Sequence, residues 1–243
     1  MKRKKMSILI VGCGGVGSLA ARILHTSVKC ALAFCDGDVF EKGNLNRQTF
    51  DKGFVGKNKA ESMSKYYGGD YYPYYITSAF GVQYDLILCC VDNHKARRTC
   101  IELATRWSVP CIVAANEVES SQVYIHYGNL VRTQPWADVM TWFPELSQDN
   151  EEERDPAHSC ATAVKVEGNE QTFLANVISA SLACQAIVRL INLLSHIDMQ
   201  YRESFDLLPA YYHACNGLQT YVPIGKVELI FPHIADEKEL YSG

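Results

Sequence analysis

The segment Gly12-Cys13-Gly14-Gly15-Val16-Gly17 constrains this chain more than any other. It stands between a continuous apolar run, Met6–Val11, and a helical stripe of Val16, Leu19, Ala20, Ile23 and Leu24. An apolar run without alternation reads as a strand buried on both faces of a parallel sheet. Apolar residues recurring at i, i+3, i+4 and i+7 read as the inner face of a helix. Cys30–Cys35 is a second buried run and ends at Asp36. Strand, glycine turn, helix, strand and acid make one βαβ unit. Glycines in such a turn let the backbone approach an anion while the first N–H groups of the helix point at it. An acid closing the next strand can accept hydrogen bonds from ribose hydroxyls. The unit predicts a nucleotide site built on Gly12, Gly14, Gly15, Gly17 and Asp36.

The pattern continues along the chain. A helix is expected over Lys57–Tyr67, a third strand over Tyr71–Thr77, a buried strand over Asp85–Val91, a helix over Asn93–Trp107 and a strand over Cys111–Ala115. Strands alternating with helices predict an α/β, Rossmann-like fold: a mostly parallel sheet with helices on both faces. The second half changes character. Gln122–Tyr127 alternates as an antiparallel strand does, residues 128–171 show no period, and Thr172–Leu194 is a long apolar helix. Short strands are expected at Tyr201–Leu208, Tyr211–Cys215 and Lys226–Phe231 around the turn Asn216-Gly217, giving mixed pairing in the C-terminal half. The helix is long enough to span a bilayer, but Asn176, Ser179, Gln185 and Arg189 interrupt it. It reads as a buried or dimer-interface helix and not as a membrane span. At 243 residues the chain reads as one domain: a nucleotide-binding half (1–127), an irregular crossover region (128–171), and a helix with terminal strands (172–243).

Charge and cysteine usage narrow the function classes. The net charge is −4, with a basic cluster at residues 2–5 and an acidic one at 149–155. No broad basic field exists, which argues against a nucleic-acid partner. The ten cysteines include no CxxC, so a structural zinc site is not expected. Buried free thiols, and no apolar segment that ends in a cleavage site, predict a cytoplasmic protein.

Two further motifs refine the site. Asp36-Gly37-Asp38-Val39 is followed by Asn44-Leu45-Asn46-Arg47-Gln48. Arginine and amides just after the ribose acid suit a triphosphate, whose extra charge needs neutralising. Lys59 opens the next helix, where a cation opposes the helix dipole, a mismatch that hints at a bound anion; Lys57 is the competing candidate. Asp92, in Cys90-Val91-Asp92-Asn93, sits at the carboxyl end of a strand, where ligands bind in open α/β sheets. It either holds Mg²⁺ against phosphate oxygens or caps the following helix, or does both.

In order and spacing, GCGGVG, DGDV, NLNRQ, the VGKNKAES lysine and CVDN resemble the ThiF/MoeB/HesA family of ubiquitin-activating-enzyme-like adenylyltransferases, over residues 6–127. The second half is similar to the short members found in bacterial ubiquitin-like operons and PRTRC systems, through Trp142-Phe143-Pro144-Glu145-Leu146, Ser159-Cys160-Ala161 and Gln171–Asn176. The resemblance implies binding of ATP and Mg²⁺, and adenylation of the C-terminal glycine of a ubiquitin-like protein. It implies a phosphate turn at Gly14, Gly15 and Gly17, with Asp36 on the ribose and Asp38 beside it. Asn44, Arg47, Gln48 and Lys59 would lie on the phosphates, and Asp92 on Mg²⁺. Cys160 would carry a thioester before transfer to a conjugating-type protein, with His158 lowering its pKa; Cys215 and Cys184 are weaker candidates. A homodimer is expected. Sulfur-carrier adenylation is the alternative, and a non-catalytic binding module a third reading. Two features depart from the family: the paired CxxC motifs are absent, and the first strand starts too early for the N-terminal arginine that reaches the phosphates. Arg3 or a lysine of residues 2–5 would have to replace it.

Overall fold

The computed structural model describes residues 5–44, 48, 50, 52–116, 120–132, 137–147, 173–196, 209–215 and 218–223. Among these residues eight strands form one sheet: β1 (Met6–Val11), β2 (Cys30–Cys35), β3 (Asp70–Tyr72), β4 (Leu86–Cys89), β5 (Pro110–Asn116), β6 (Ser120–Tyr127), β7 (Pro209–Cys215) and β8 (Leu218–Pro223). Their order is β3-β2-β1-β4-β5-β6-β7-β8. The first five run parallel, and β6, β7 and β8 are added antiparallel. The helices are α1 (Gly15–Ser27), α2 (Lys59–Tyr67), α3 (His94–Trp107), α4 (Val139–Trp142) and α5 (Phe173–His196).

Period-two alternation divides the core between the two faces of the sheet. Ile8, Ile10, Leu86, Leu88 and Ile112 pack with α1, α2 and α5. Leu9, Val11, Ile87, Cys89 and Val113 pack with α3 and α4. Every one of these side chains is essentially inaccessible. Burying each larger aliphatic contributes roughly 1.5–3 kcal/mol, which is why the central strands are apolar on both faces.

The fold class is as expected, and the boundaries depart from expectation for local reasons. The helix expected from Lys57 starts at Lys59, because the Asn58 side chain accepts the Glu61 N–H and caps it. The third strand stops at Tyr72 rather than Thr77. Pro73 has no N–H to continue an edge ladder, and the chain leaves the sheet there. The fourth strand pairs only as far as Cys89. Within 128–171, α4 and a 3-10 turn at Pro144–Ser147 are ordered; both are too short to show a period. β7 contains the expected Tyr211–Cys215 strand, and β8 follows across residues 216–217. The strands expected at 201–208 and 226–231 lie outside the described residues.

α5 is long and apolar enough to cross a bilayer by length and composition, and more than half of that stretch is buried within the fold. It packs on α1, with the Cys184 thiol 3.6 Å from the Ala20 carbonyl oxygen. Among its described side chains, Phe173, Leu174 and Val188 are the large apolar groups left exposed.

Candidate active site

A cavity of about 1000 Å³ opens at the carboxyl ends of β1, β2, β4 and β5. β1 lies between β2 and β4, so the chain leaves it toward one side and later returns on the other. That reversal opens a crevice in doubly wound sheets.

The glycine turn forms the floor. Gly12 has φ +86°, and a Cβ there would stand 2.7 Å from the Cys90 carbonyl oxygen. At Gly17 a Cβ would collide with the Gly12 carbonyl oxygen, so α1 rests directly on the turn. The α1 N-terminus has no side-chain cap, so its leading N–H groups lack intrahelical partners, and Gly14 and Gly15 line the cavity.

Asp36 is only 8% exposed. Its Oδ2 accepts the Cys13 N–H at 2.6 Å and its Oδ1 the Asp38 N–H at 2.8 Å. Burial pushes its carboxyl above the usual carboxylate range, against the pull of Lys59 and these two N–H groups. Asp36 therefore organises the glycine turn, and a ribose would share oxygens already in use.

Asp38 joins two other groups. Lys59 Nζ donates to Oδ2 at 2.9 Å, and the Tyr75 hydroxyl donates to Oδ1 at 2.5 Å. Burial would raise the Asp38 carboxyl, but the hydrogen bonds from Tyr75 and Lys59 outweigh it and hold it low. Burial also opposes the Lys59 ammonium, and Asp36 and Asp38 together keep its pKa raised. The cation at the start of α2 is thus compensated by two carboxylates of the protein itself. Lys57, its competitor, lies exposed over the Phe54 ring at 5.4 Å and does not line the cavity. Asn58 fixes the loop by donating to the carbonyl oxygens of Asp36 and Asp38, at 2.9 and 3.0 Å.

Asn44 and Gln48 line the cavity near Lys59. The Asn44 Oδ1 accepts the Glu41 N–H at 3.0 Å. Among the described residues the buried side-chain oxygen of Gln48 has no hydrogen-bond partner, an unmet acceptor that a ligand hydroxyl would satisfy. Arg47 lies outside the described residues.

Asp92 is exposed on the cavity wall beyond β4. It does not cap α3: Asn93 does, accepting the Ala96 N–H at 2.8 Å. The capping alternative is removed, and the carboxylate is left facing the cavity. Among the described residues no three His, Cys, Asp or Glu side chains cluster for a metal. A single carboxylate still fits Mg²⁺, which takes one or two carboxylates plus substrate phosphates and keeps several waters.

Cys160 and His158 lie outside the described residues, as does the side chain of Cys215. Cys184 is buried between α1 and α5, which removes it as a nucleophile candidate. None of the described cysteines is exposed.

Tyr75, Asn116 and Asn176 are among the cavity side chains that escape a reading of the sequence. Tyr75 follows the shortened third strand, and its ring packs over Gly37. Its hydrogen bond to Asp38 pushes the phenol up to about 12. Asn116 and Asn176 meet on the far wall at 2.7 Å. The one sequence signal for them is a polar residue, Asn176, early in an apolar helix.

A family-model match falls on the part that builds this floor. Residues 1–68 match the ThiF family model. The chain is 31% identical to the adenylyltransferase and sulfurtransferase uba4 of Neosartorya fischeri, over 52% of this chain and 27% of that protein. It is 33% identical to ubiquitin-like modifier-activating enzyme 5 of Oryza sativa subsp. japonica, over 42% of this chain and 31% of that protein. The chain thus spans about a quarter to a third of the length of these curated relatives. Among solved structures it superposes on E. coli MccB with AMPCPP and MccA at a TM-score of 0.59 and 17% identity, covering 90% of this chain and 64% of that one.

Proposed function

We propose that this chain, whose residues 1–68 match the ThiF family model, adenylates the C-terminal glycine of a ubiquitin-like protein, using ATP and Mg²⁺. One observation carries this reading: a single cavity brings together an uncapped helix N-terminus, Asp36, the Asp38–Lys59 pair and Asp92. Those groups suit, in turn, phosphate, ribose hydroxyls, developing phosphoryl charge and a divalent cation. The names of the relatives, an adenylyltransferase and a modifier-activating enzyme, support the same chemistry.

The protein's part is positioning and electrostatics. Gly14 and Gly15 admit the phosphates to the N–H groups of α1. Asp36 accepts from the ribose, while Asn44, Arg47 and Gln48 meet the phosphate chain. A terminal carboxylate oxygen attacks the α-phosphorus. The new C–O–P link forms as the bond to the bridging β-phosphate oxygen breaks, giving acyl-adenylate and pyrophosphate. Lys59 and Arg47 stabilise the charge on the phosphoryl oxygens as it grows. Mg²⁺, held by Asp92, would neutralise phosphate charge.

ATP–pyrophosphate exchange with candidate ubiquitin-like proteins tests the reading. Exchange that requires the partner's terminal glycine supports it. ATP binding without exchange for any candidate partner favours a non-catalytic module. Asp92→Ala is expected to abolish exchange while the protein stays folded, since Asp92 caps nothing; intact exchange in that variant ends the Mg²⁺ assignment.

A second step follows in our reading: the Cys160 thiolate attacks the adenylate carbonyl, AMP leaves, and the thioester passes to a conjugating-type protein. Six of the eight thiols described are buried and the other two, Cys30 and Cys90, are half-buried, which supports the choice of Cys160. Cys160→Ala is expected to retain exchange and lose a thiol-reducible adduct with the partner; an adduct that survives the substitution assigns the nucleophile elsewhere. The sulfurtransferase in the name of the uba4 relative favours a second outcome, transfer of sulfur to the activated glycine. The two diverge only after the adenylate.

A further inference from the structure

Gly37 separates Asp36 from Asp38, and its φ lies outside the left-handed region that calls for glycine. Space calls for it instead. A Cβ at this position would stand 2.9 Å from three carbons of the Tyr75 ring. The ring occupies the room that a side chain would fill, beside the cavity that both residues line.

Tyr75 is the third residue after β3, beyond Pro73. It is held at two points: its ring on Gly37, and its hydroxyl on Asp38 Oδ1 at 2.5 Å. Neither point serves the hydrophobic core. The residue is 68% exposed, and its ring joins neither of the clusters on the two faces of the sheet. An exposed side chain ordered in this way gives up rotamer freedom for little burial, so stability does not account for its placement.

Its hydrogen bond does. Asp38 divides its two oxygens between donors: Oδ1 takes the phenol and Oδ2 takes Lys59 Nζ at 2.9 Å. A carboxylate that already accepts one hydrogen bond is less basic and holds a second donor less tightly. With the phenol on Oδ1, the carboxylate is also kept from turning to grip the ammonium with both oxygens. We infer that Tyr75 is a positioning residue for adenylation: its hydroxyl loosens the hold of Asp38 on Lys59, leaving more of the ammonium's charge for the reacting phosphoryl group. Gly37 is the seat that admits its ring. The inference rests on the adenylation reading and deepens it, by assigning a residue whose effect passes through Lys59.

Tyr75→Phe keeps the ring on Gly37 and removes the hydroxyl alone. ATP–pyrophosphate exchange, run on the full chain with a ubiquitin-like protein ending in Gly-Gly, is expected to show a kcat about tenfold lower, the effect of one hydrogen bond to a charged group. The Kd for ATP, by calorimetry, stays within about threefold of the parent value, since a positioning residue moves turnover more than affinity. The melting temperature stays within about 2 °C, because little surface is buried. In a Lys59→Met background the same substitution is expected to change kcat less than about twofold, because a residue that works through Lys59 has nothing left to act on. Parent kcat in Tyr75→Phe overturns the inference, as does a loss confined to ATP binding. An equal tenfold loss in the Lys59→Met background also overturns it, since the phenol would then act on the nucleotide itself. If the unaltered chain binds ATP yet exchanges with no candidate partner, the adenylation reading falls and takes this assignment with it. That outcome needs no variant and is separable from the others.

Discussion

Gly17→Ala is expected to leave little folded protein, whereas Gly14→Ala, three residues earlier, is expected to fold and lose its nucleotide. The added methyl at position 17 would meet the Gly12 carbonyl oxygen, which is backbone and cannot swing aside. To relieve it, α1 must lift from the turn, and Val16, Leu19, Ala20 and Leu24 would be drawn out of the core with it. A cost of about 4 kcal/mol or more is expected for such a backbone collision, a large share of the roughly 5–15 kcal/mol that holds an ordinary domain. At Gly14, φ is −79° and no atom lies within 4 Å of an added Cβ. The stability cost there is about 1 kcal/mol, that of alanine for glycine at a helix start. The methyl would instead stand in the space where an anion meets the α1 N–H groups. Thermal melting and ATP calorimetry on the two variants check the contrast. A stable Gly17→Ala protein, or a Gly14→Ala protein with unchanged ATP affinity, contradicts it.

Lys59→Met is expected to lower ATP–pyrophosphate exchange by about 10²–10³-fold, the effect of removing one preorganised charge from a developing oxyanion. The same substitution destabilises the protein, because it strips Asp36 and Asp38 of their cation. The two carboxyl shifts set the sign of its pH dependence. Asp38, held low by its partners, contributes stability above the unfolded carboxylate range and loses it as pH falls through its folded value. Asp36 is already raised by burial, and without Lys59 it rises further; that penalty is complete at neutral pH and disappears on protonation. Both effects make the variant's deficit largest near pH 7 and shrinking toward about pH 4. Melting curves across that range check it. A deficit that grows on acidification contradicts the ion-pair account, and exchange at the parent rate shows that the Lys59 ammonium does not stabilise the reacting phosphoryl group.

Much of the scaffold was legible because burial on both faces leaves an unmistakable pattern. Met6–Val11 and Cys30–Cys35 are strands with the expected ends, since an apolar run bounded by glycine on one side and an acid on the other leaves no other reading. The site was legible where a residue's neighbours in sequence are its neighbours in space: the glycine turn, the acid closing β2 and the lysine opening α2. It was not legible where the fold supplies the neighbour. Nothing in the run of tyrosines after Asp70 marks Tyr75 as the one that reaches Asp38; its place depends on Pro73 ending the edge strand early. Asn176 meets Asn116 only because α5 returns across the end of β5. Asp36 carried a further hidden role. Its bonds to the N–H groups of Cys13 and Asp38 make it a keystone of the turn as well as a candidate ribose acceptor.

The Tyr75–Asp38–Lys59 chain has a consequence for the balance between affinity and rate. An ammonium already engaged by a carboxylate at 2.9 Å gives a resting triphosphate only part of its strength. As negative charge gathers on the reacting phosphoryl group, that competitor loses ground and the ammonium's attraction is released toward the phosphorus. An interaction that strengthens between ground state and transition state raises turnover, where one that serves both equally only tightens binding. On the adenylation reading, Asp38 acts as a restraint on premature grip: it leaves ATP loosely held until the reaction creates the charge that Lys59 is placed to meet.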